Sequence, residues 1–508
     1  MDKLKIETQQ KKLVVPGREF GGEQPLDIRV TLPEYLGDVV RVLRCTVFAV
    51  PGNVSAADDR ITAEGEAQAH VVYLSDRDGI CVYDTAEPFT KSVEAPDFPA
   101  DASVIPVFLT DRPVCRAVSP RSLEIKTAVR MSFRICERRE RVLLTAATGG
   151  GVELKTAEFT VTDTVNVSSK QIGVDETCAL PAEHNAVRRL LCSDAACRVN
   201  ETRVITNKAM VRGEIEYSVF YLPDGADSPE SARLSVPFSE IVECAGLNDT
   251  MNVTVGACLL SHEVCVRSAK TAARELNCTA AVSLTLTAEQ ADRVAAATDA
   301  FSTECEIDAE FTEIWETCDS RAVAETVTAD GRFDLTRLQP RRILYHTERV
   351  GAVRAVSSEK GAVLRGTLTV GLFTAAEDGA IAYAENDVEF TFEKTVPAQA
   401  EQYVFSPAVT VNAADVTLDG GTAVLRAELF VEGRIDARRK TRVLSGAALR
   451  ENSVKKSSPG LVIYFPDKGE QLWDIAKSYG ASPAALRADN KLEDDALPAG
   501  RPLLIARI

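Results

Sequence analysis

Hydrophobic and polar residues alternate along most of the first 450 residues, which is the pattern of strands that bury one face. The clearest segment runs from Leu123 to Ile135. One set of its positions is apolar and the other is charged or polar: Leu123, Ile125, Val129, Met131, Phe133 and Ile135 against Glu124, Lys126, Arg130, Ser132 and Arg134. Because successive strand side chains point to opposite faces, this period of two predicts antiparallel strands with one buried face.

The alternating pattern recurs about every 150 residues. Three glycines open matched segments that run into an Asp-Gly turn, and these glycines are 148 and 153 positions apart: Gly65, Gly213 and Gly366. Asp-Gly favours the positive φ of tight hairpin turns, so each segment predicts a β-hairpin. A second landmark has spacings of 153 and 148 and begins at Leu123, Leu276 and Val424. Two landmarks with one period predict three copies of a β module, of which the third is the weakest match.

The predicted fold is therefore mainly β, with tandem antiparallel sandwich-like modules followed by a small α+β domain of βααβ order. We expect an N-terminal segment, three modules, a polar linker and the small domain, over residues 1–24, 25–170, 171–325, 326–450, 451–460 and 461–508. The best helix candidate before the linker lies over residues 181–190.

The small C-terminal domain has helical as well as strand periodicity. Val462–Phe465 is predicted to be a strand, and Leu472–Tyr479 has the apolar stripe of an amphipathic helix. Gly480 ends this helix in the position that a left-handed residue prefers. Ser482 and the following proline begin a second helix, which ends by Asn490. A final strand is predicted over residues 503–505.

Composition narrows the class of protein. The formal net charge of -17 and a pI near 5.0 make binding to nucleic acid or to an anionic membrane surface a poor expectation. No stretch approaches the ~18 apolar residues of a membrane helix, and the N-terminus lacks the apolar core of a signal peptide. The thirteen cysteines are scattered through apolar strand-like runs and stop at Cys318. This usage favours free thiols in a reducing compartment, so we expect a cytosolic protein.

Catalytic and metal-binding motifs are missing from the sequence. It contains no phosphate-binding Gly-rich loop, no His-Glu-x-x-His helix and no Gly-x-Ser-x-Gly elbow. Cys192 and Cys197 have four residues between them and no second pair to complete a zinc site. The four histidines are far apart in sequence, and His70 is predicted to be a solvated or edge residue. We therefore expect a non-enzymatic protein without a cofactor, although sequence alone leaves a pair of glycosidase carboxylates open.

The C-terminal domain resembles the LysM family along its whole length. The resemblance rests on the run from Val462 to Gly480, on Leu486 and Asn490, and on Leu-Pro-Ala-Gly ending at 500. The family's usual Gly-Asp-Thr is Gly-Glu-Gln at residues 469–471, which removes a short capping side chain and alters the loop that holds glycan in sugar-binding members. LysM domains are best known for binding N-acetylglucosamine polymers, so the resemblance implies a peptidoglycan-binding cell-wall protein as one hypothesis.

Repeated β modules before one LysM domain, without an expected export signal, resemble the SPOCS family of spore-coat-associated proteins from endospore-forming Firmicutes. This resemblance implies a scaffold or adaptor in the mother-cell cytoplasm at the forespore surface. Its LysM domain would bind the SpoIVA-like ATPase of the coat basement layer rather than a sugar. The β modules would hold other coat proteins or self-associate through sheet edges. This is the leading hypothesis, and the glycan-binding protein is its alternative.

The predicted partner-binding surface lies in the LysM domain. It consists of Ile463, Lys468, Gly469, Leu472 and Trp473. Trp473 falls beside the apolar stripe of the first helix, so two interpretations stay open. Either the indole is an exposed interface anchor, or it completes a very small core.

Overall fold

The computed structural model describes residues 4–15, 17–77, 79–99, 102–226, 228–266, 273–450, 453, 460–467, 469–497 and 501–507. These residues confirm the predicted fold class, because they form many small antiparallel sheets and a C-terminal βααβ unit. Among them, the one helical element before the C-terminal unit is a 3-10 turn at Thr336–Leu338. No described helix is long and apolar enough to cross a membrane.

Three β modules account for most of the chain. The first contains β1 (Lys5–Val15), β2 (Glu19–Thr31), β3 (Val39–Ala57), β4 (Arg60–Ser75), β5 (Gly79–Glu94), β6 (Ser103–Thr110), β7 (Val114–Ser119) and β8 (Ser122–Thr148). The second contains β9 (Val152–Ala179), β10 (Val187–Ile205), β11 (Lys208–Pro223), β12 (Glu230–Glu243), β13 (Asn252–Val266) and β14 (Glu275–Ser302). The third contains β15 (Ile307–Asp334), β16 (Arg342–Ser357), β17 (Gly361–Ala375), β18 (Ile381–Thr395), β19 (Gln402–Asp419) and β20 (Thr422–Leu449).

Each module is a sandwich of two sheets around one core. One sheet has the strand order β3-β4-β5, β10-β11-β12 or β16-β17-β18. The facing sheet is built on β8, β14 or β20, and both sheets contribute to a shared hydrophobic cluster in every module. The alternation that predicted these strands is confirmed in β8, where the six apolar positions from Leu123 to Ile135 are all buried. Glu124, on the other face, is also buried, and Arg116 donates to it at 2.7 Å.

The three landmark glycines have a common packing role. Gly65, Gly213 and Gly366 lie directly opposite Phe89, Phe238 and Phe390 on the neighbouring strand. A Cβ atom added to these glycines would lie 2.4 to 2.5 Å from Cζ of the facing ring. Each phenylalanine therefore lies over a bare stretch of backbone that only glycine provides. This pair explains why the glycines and phenylalanines recur together in the sequence.

Long strands join the modules to one another. The second half of β8 pairs with β1, the second half of β14 with the first half of β9, and the second half of β20 with the first half of β15. We call these pairs ribbons 1, 2 and 3. They pack together around a core to which all three contribute: Leu13, Leu143, Phe159, Val161, Val294, Ala296, Ile314 and Val443. Lys11 of ribbon 1 also donates to Asp292 of ribbon 2 at 2.6 Å.

A second shared core joins the three modules through their other sheets. Its buried members come from equivalent strands of each module: Leu43, Val72, Ile80, Leu191, Cys192, Phe220, Tyr345 and Phe373. The aromatic rings stack closely, with 5.2 Å between the centroids of Phe220 and Tyr345. Beside this core, Arg44 of the first module is bonded to Asp194 of the second at 2.7 Å. The three modules therefore pack around a common axis and do not form separate units along the chain.

The structure corrects one expectation about a helix and gives the strand positions around the expected domain limits. The predicted helix over residues 181–190 is wrong, because residues 182–184 form a turn and β10 begins at Val187. The expected module limits at 170 and 325 fall inside the continuous strands β9 and β15, so that division remains a proposal. The segment expected to be separate, 1–24, contributes β1 and part of β2. Of the predicted linker, only residues 453 and 460 are among the described residues.

Candidate functional site

The C-terminal unit consists of β21 (Gly460–Tyr464), α1 (Leu472–Tyr479), α2 (Pro483–Asn490) and β22 (Leu503–Arg507). The two strands pair antiparallel, with Ile463 opposite Leu504. Both predicted helices are confirmed, and Gly480 adopts the left-handed φ of 64° that ends α1. Pro483 stands at the start of α2, where its missing N–H costs no hydrogen bond.

Glu470 closes the loop before α1. Gln471 is the N-cap and makes no capping bond through its side chain, as the missing threonine led us to expect. Instead, the carboxylate of Glu470 accepts the hydroxyl of Tyr464 at 2.8 Å and the backbone N–H of Asp467 at 2.8 Å. The bond to Glu470 raises the pKa of Tyr464 above its ordinary value. Glu470, which differs from the family's usual residue, is thus held in the loop by hydrogen bonds from Tyr464 and Asp467.

Asn490 ties the second helix to the last strand. Its amide group donates to the carbonyl oxygens of Leu486 at 2.9 Å and Leu504 at 2.7 Å. Its side-chain oxygen accepts the N–H of Leu504 at 2.7 Å. Because this asparagine is buried, its three bonds satisfy polar groups that would otherwise be costly to bury. They fix β22 against α2.

Helix α1 lies against ribbon 2 of the second module. Nε1 of Trp473 donates to Oδ2 of Asp299 at 2.8 Å, and Nζ of Lys477 donates to both oxygens of the same carboxylate at 2.7 and 2.8 Å. The ring of Trp473 meets Phe301 edge to face, with 5.0 Å between centroids. Phe301 is buried and belongs to the same hydrophobic cluster as the core of the C-terminal unit. We use the name tail clasp for the hydrogen bonds of Trp473 and Lys477 to Asp299 together with the packing of Trp473 on Phe301.

The electrostatics of the tail clasp favour an ionised carboxylate. Partial burial opposes the charge of Asp299, but the hydrogen bonds from Lys477 and Trp473 outweigh it, so the pKa of Asp299 lies below its ordinary value. A second contact extends the clasp toward the loop, where Nζ of Lys155 donates to Oε1 of Gln471 at 2.7 Å. The loop altered from the sugar-binding pattern therefore touches the chain's own second module.

The two strands of the unit carry an exposed apolar surface. Four side chains on the outer side of the two strands and just after β21 form it: Leu461, Ile463, Phe465 and Leu504. Ile463 is 58% exposed and Phe465 is 67% exposed. We call these residues the apolar stripe. Contiguous exposed apolar side chains of this kind mark interaction sites more often than isolated ones do.

The four predicted site residues that the structure describes do not come together on one surface. Ile463 lies in the apolar stripe, and Gly469 adopts a φ of 97° in the loop before α1. Lys468 lies outside the described residues. The placement of Leu472 in a partner-binding surface is wrong, because this side chain is 1% exposed and fills the core with Ile475 and Leu486. Trp473 is half-buried against the second module.

Sequence reasoning missed the residues that hold Trp473. Asp299 and Phe301 lie in an alternating strand in which nothing distinguishes them from other strand residues. Phe465, by contrast, stands two positions after Ile463, and the same alternation that singled out Ile463 indicates Leu461 and Phe465 as well.

Histidines and cysteines do not form a metal centre in the described part of the chain. No group of three or more His, Cys, Asp or Glu side chains there could hold a metal ion. His70 is not simply solvated, since its ring lies 6.2 Å from that of His262 between the first two modules. Nδ1 of His70 is paired with Asp84 at 2.5 Å.

Two family models match parts of this chain. The model described as SipL, SPOCS domain, matches residues 186–266, and the LysM domain model matches residues 467–506. The first match corresponds to β10–β13, the central strands of the second module. Neither curated proteins nor solved structures gave a match.

The chain thus contains a SipL SPOCS domain and a C-terminal LysM domain. Strands equivalent to β10–β13 occur in the first and third modules, in the same order around the same kind of core. Both matched families are binding or structural modules, and neither is a catalytic family.

Proposed function

We propose that this protein is a non-enzymatic adaptor of endospore coat assembly that acts in the mother-cell cytoplasm at the forespore surface. Its three β modules pack on shared cores, and its LysM domain presents a binding surface to the SpoIVA-like ATPase of the coat basement layer. The SPOCS and LysM matches support a role in coat assembly. Other coat proteins, or further copies of this chain, would bind the β modules.

The observation that carries the proposal is that one surface of the LysM domain contacts the second module while another, apolar surface stays exposed. Helix α1 is held against ribbon 2 by the tail clasp, whereas the apolar stripe of Leu461, Ile463, Phe465 and Leu504 lies along the two strands and is exposed. Large apolar side chains lose unfavourable contact with water when a protein partner covers them. A stripe rich in aliphatic side chains suits a protein partner better than a hydroxyl-rich sugar.

The loop before α1 weakens the alternative, a peptidoglycan-binding protein. In sugar-binding LysM domains this loop holds the glycan, whereas here Gln471 accepts a hydrogen bond from Lys155 and Glu470 is bonded to Tyr464. A glycan in that position would have to displace contacts that the chain makes with itself. The protein-binding interpretation leaves them intact.

A retention experiment with the full chain tests the proposal. Purified coat ATPase and insoluble peptidoglycan are offered in parallel to the wild type, to Ile463→Glu and to the control Val118→Glu. Val118 is 65% exposed on β7, comparable with Ile463. We expect the wild type and the control to retain the ATPase, and Ile463→Glu to lose at least about tenfold in affinity, the scale of a modest hot spot. Saturable retention on peptidoglycan with none on the ATPase would contradict the proposal.

A further inference from the structure

One edge of the first module differs from the equivalent edges of the other two. In the second and third modules, single strands of 15 and 18 residues, β13 and β19, pair with β14 and β20. In the first module, two shorter strands, β6 and β7, take this position beside β8, and Pro113 lies in the break between them. Proline has no N–H to donate to a strand ladder, which explains the break. As a result, β7 pairs with β8 through a strand of only 6 residues.

One side chain of β7 reaches into the first module. The residues of β7 are exposed except for Cys115, which packs against the hydrophobic core of that module. Cys45 of β3 packs against the same core. Strands β3 and β7 belong to the two facing sheets, each at a sheet edge, and Cα atoms of the two strands approach within 8 Å. The two cysteines therefore lie where the edges of the two sheets meet.

The two thiols are in contact. The thiol of Cys45 donates a hydrogen bond to the sulfur of Cys115. This bond lowers the pKa of the Cys115 thiol against the opposing effect of burial, and the same bond together with burial raises the pKa of the Cys45 thiol. Both side chains are partly exposed, so a small oxidant can reach them. Because the thiolate is the nucleophilic form of cysteine, Cys115 is the sulfur that reacts first.

We propose that Cys45 and Cys115 form an oxidation site, at which hydrogen peroxide joins the two sheets of the first module by a disulfide. The thiolate of Cys115 attacks one oxygen of peroxide, so that an S–O bond forms, the O–O bond breaks, and the departing hydroxide takes up a proton as water. The sulfur of Cys45 then attacks the sulfenic acid of Cys115. An S–S bond forms, the S–O bond breaks, and hydroxide leaves as water with the thiol proton of Cys45. Both thiols are oxidised, and peroxide is reduced to water.

A second thiol pair provides an internal control. Cys178 and Cys278 of the second module are also hydrogen-bonded to each other. They lie on neighbouring strands of one sheet, where Cys178 is opposite Leu276 and Cys278 is opposite Glu176, so they are diagonal neighbours. Diagonal Cα atoms are ~7–8 Å apart, whereas a disulfide requires no more than ~7 Å. This pair has the thiol contact without the strand geometry, so it should stay reduced.

Peptide mapping of the full chain after treatment with equimolar hydrogen peroxide tests the site. The folded, reduced protein is oxidised, its remaining thiols are alkylated after unfolding, and its peptides are analysed by mass spectrometry without reduction. We expect the loss of two of the thirteen thiols and a link between the peptides of Cys45 and Cys115, which dithiothreitol reverses. Cys178 and Cys278 should both be alkylated. The proposal does not rest on the coat role, so this experiment needs no partner protein.

Two results would overturn the proposal. One is a link between Cys178 and Cys278 without a link between Cys45 and Cys115. The other is oxidation confined to the three cysteines that are most accessible among the described residues: Cys258, Cys265 and Cys318. Either result would show that the meeting of β3 and β7 does not direct the reaction.

Variants identify the order in which the two sulfurs react. Cys45→Ser leaves the sulfenic acid of Cys115 without a thiol to attack it, so dimedone should label Cys115 in this variant and not in the wild type. Cys115→Ser should give no linked peptide and should leave Cys45 reduced. The control Cys318→Ser removes an exposed thiol of β15 and should form the link like the wild type. Dimedone labelling of Cys45 in Cys115→Ser as strong as that of Cys115 in Cys45→Ser would contradict the assigned order. The peptide map of the wild type decides on the site itself, whether or not these variants fold.

Discussion

The indole nitrogen of Trp473 donates a hydrogen bond of 2.8 Å to Oδ2 of Asp299, a residue 174 positions earlier in the chain. This bond, with the contact between Trp473 and Phe301, holds the LysM domain on the second module. It decides which side of the domain faces outward, and it leaves the apolar stripe around Ile463 exposed.

Removal of the Asp299 carboxylate should loosen the LysM domain without unfolding it. Asp299→Ala deprives both Trp473 and Lys477 of their acceptor. We expect a loss of about 1–3 kcal/mol in the free energy that holds α1 against ribbon 2, the usual contribution of hydrogen bonds to charged groups. Hydrogen exchange of the α1 amides measures it. Asp292→Ala is the control, since it breaks a lysine pair on the same strand without touching the LysM domain.

The same clasp should weaken in acid. The pKa of Asp299 is lowered in the folded protein, so its contribution to stability is present above the ordinary aspartate value of about 3.9 and is lost as pH falls through the lowered folded value. Exchange of the α1 amides in wild type should therefore approach that of Asp299→Ala below about pH 4. An unchanged difference between the two proteins at pH 3 would contradict the assigned role.

The glycine that faces a phenylalanine in each module should not tolerate replacement by a residue with a Cβ atom. A Cβ at Gly213 would lie 2.3 Å from the carbonyl oxygen of Arg198 and 2.4 Å from Cζ of Phe238. Gly213→Ala should therefore lower the free energy of unfolding by about 2–3 kcal/mol, the upper range for overpacking. Gly173→Ala is the matched control in β9, where an added Cβ meets no atom within 4 Å. Denaturant unfolding should find this control neutral or slightly more stable than wild type.

Replacing Asp194 alone should destabilise the protein more than replacing both Asp194 and its buried partner Arg44. Burial opposes both charges, but the 2.7 Å contact outweighs it, so the pKa of Arg44 is raised and that of Asp194 is lowered. Asp194→Leu leaves the arginine buried without a carboxylate and should cost about 3–5 kcal/mol. Arg44→Met combined with Asp194→Leu should cost less. Thermal unfolding measures the stability of both variants. A double variant that loses as much stability as Asp194→Leu, or more, would contradict this account.

Stability should fall in mildly acidic solution because of His262. Burial lowers the pKa of His262 below the ordinary value of 6.5, Asp194 partly opposes this shift, and the neighbouring His70 and Arg44 reinforce it. The folded protein therefore keeps His262 neutral where the unfolded chain is protonated. The stability that neutral His262 contributes is complete above about pH 6.5 and is lost as the pH falls below that value. His262→Gln should melt with a smaller loss between pH 7.5 and 5.5 than wild type. An identical loss in both proteins would remove His262 as the cause.

Local pattern was enough to predict the strands and the C-terminal helices. Alternation placed Leu123 and Phe133 on a buried face, and Gly480 and Pro483 marked helix ends where the structure has them. These features depend on neighbours in sequence. The helix expected over residues 181–190 failed because β10 pairs with β11, a tertiary contact that overrides local propensity.

The arrangement of the modules and the clasp could not be read from the sequence. Phe301 and Trp473 meet only because ribbon 2 ends beside the C-terminal unit, and no residue pattern records that proximity. Arg41, Arg189 and Arg342 also recur at the module period, and each donates a hydrogen bond to another module. Their partners become evident only when the modules surround a common axis.

The most direct test of the adaptor account is a hydrogen-exchange comparison of the full chain alone and with the purified coat ATPase. The account predicts new protection in β21 and β22, which carry the apolar stripe, and no loss of protection in α1, because the tail clasp stays closed. Protection confined to α1 and the loop at residues 469–471, or protection by soluble peptidoglycan fragments with none by the ATPase, would contradict it.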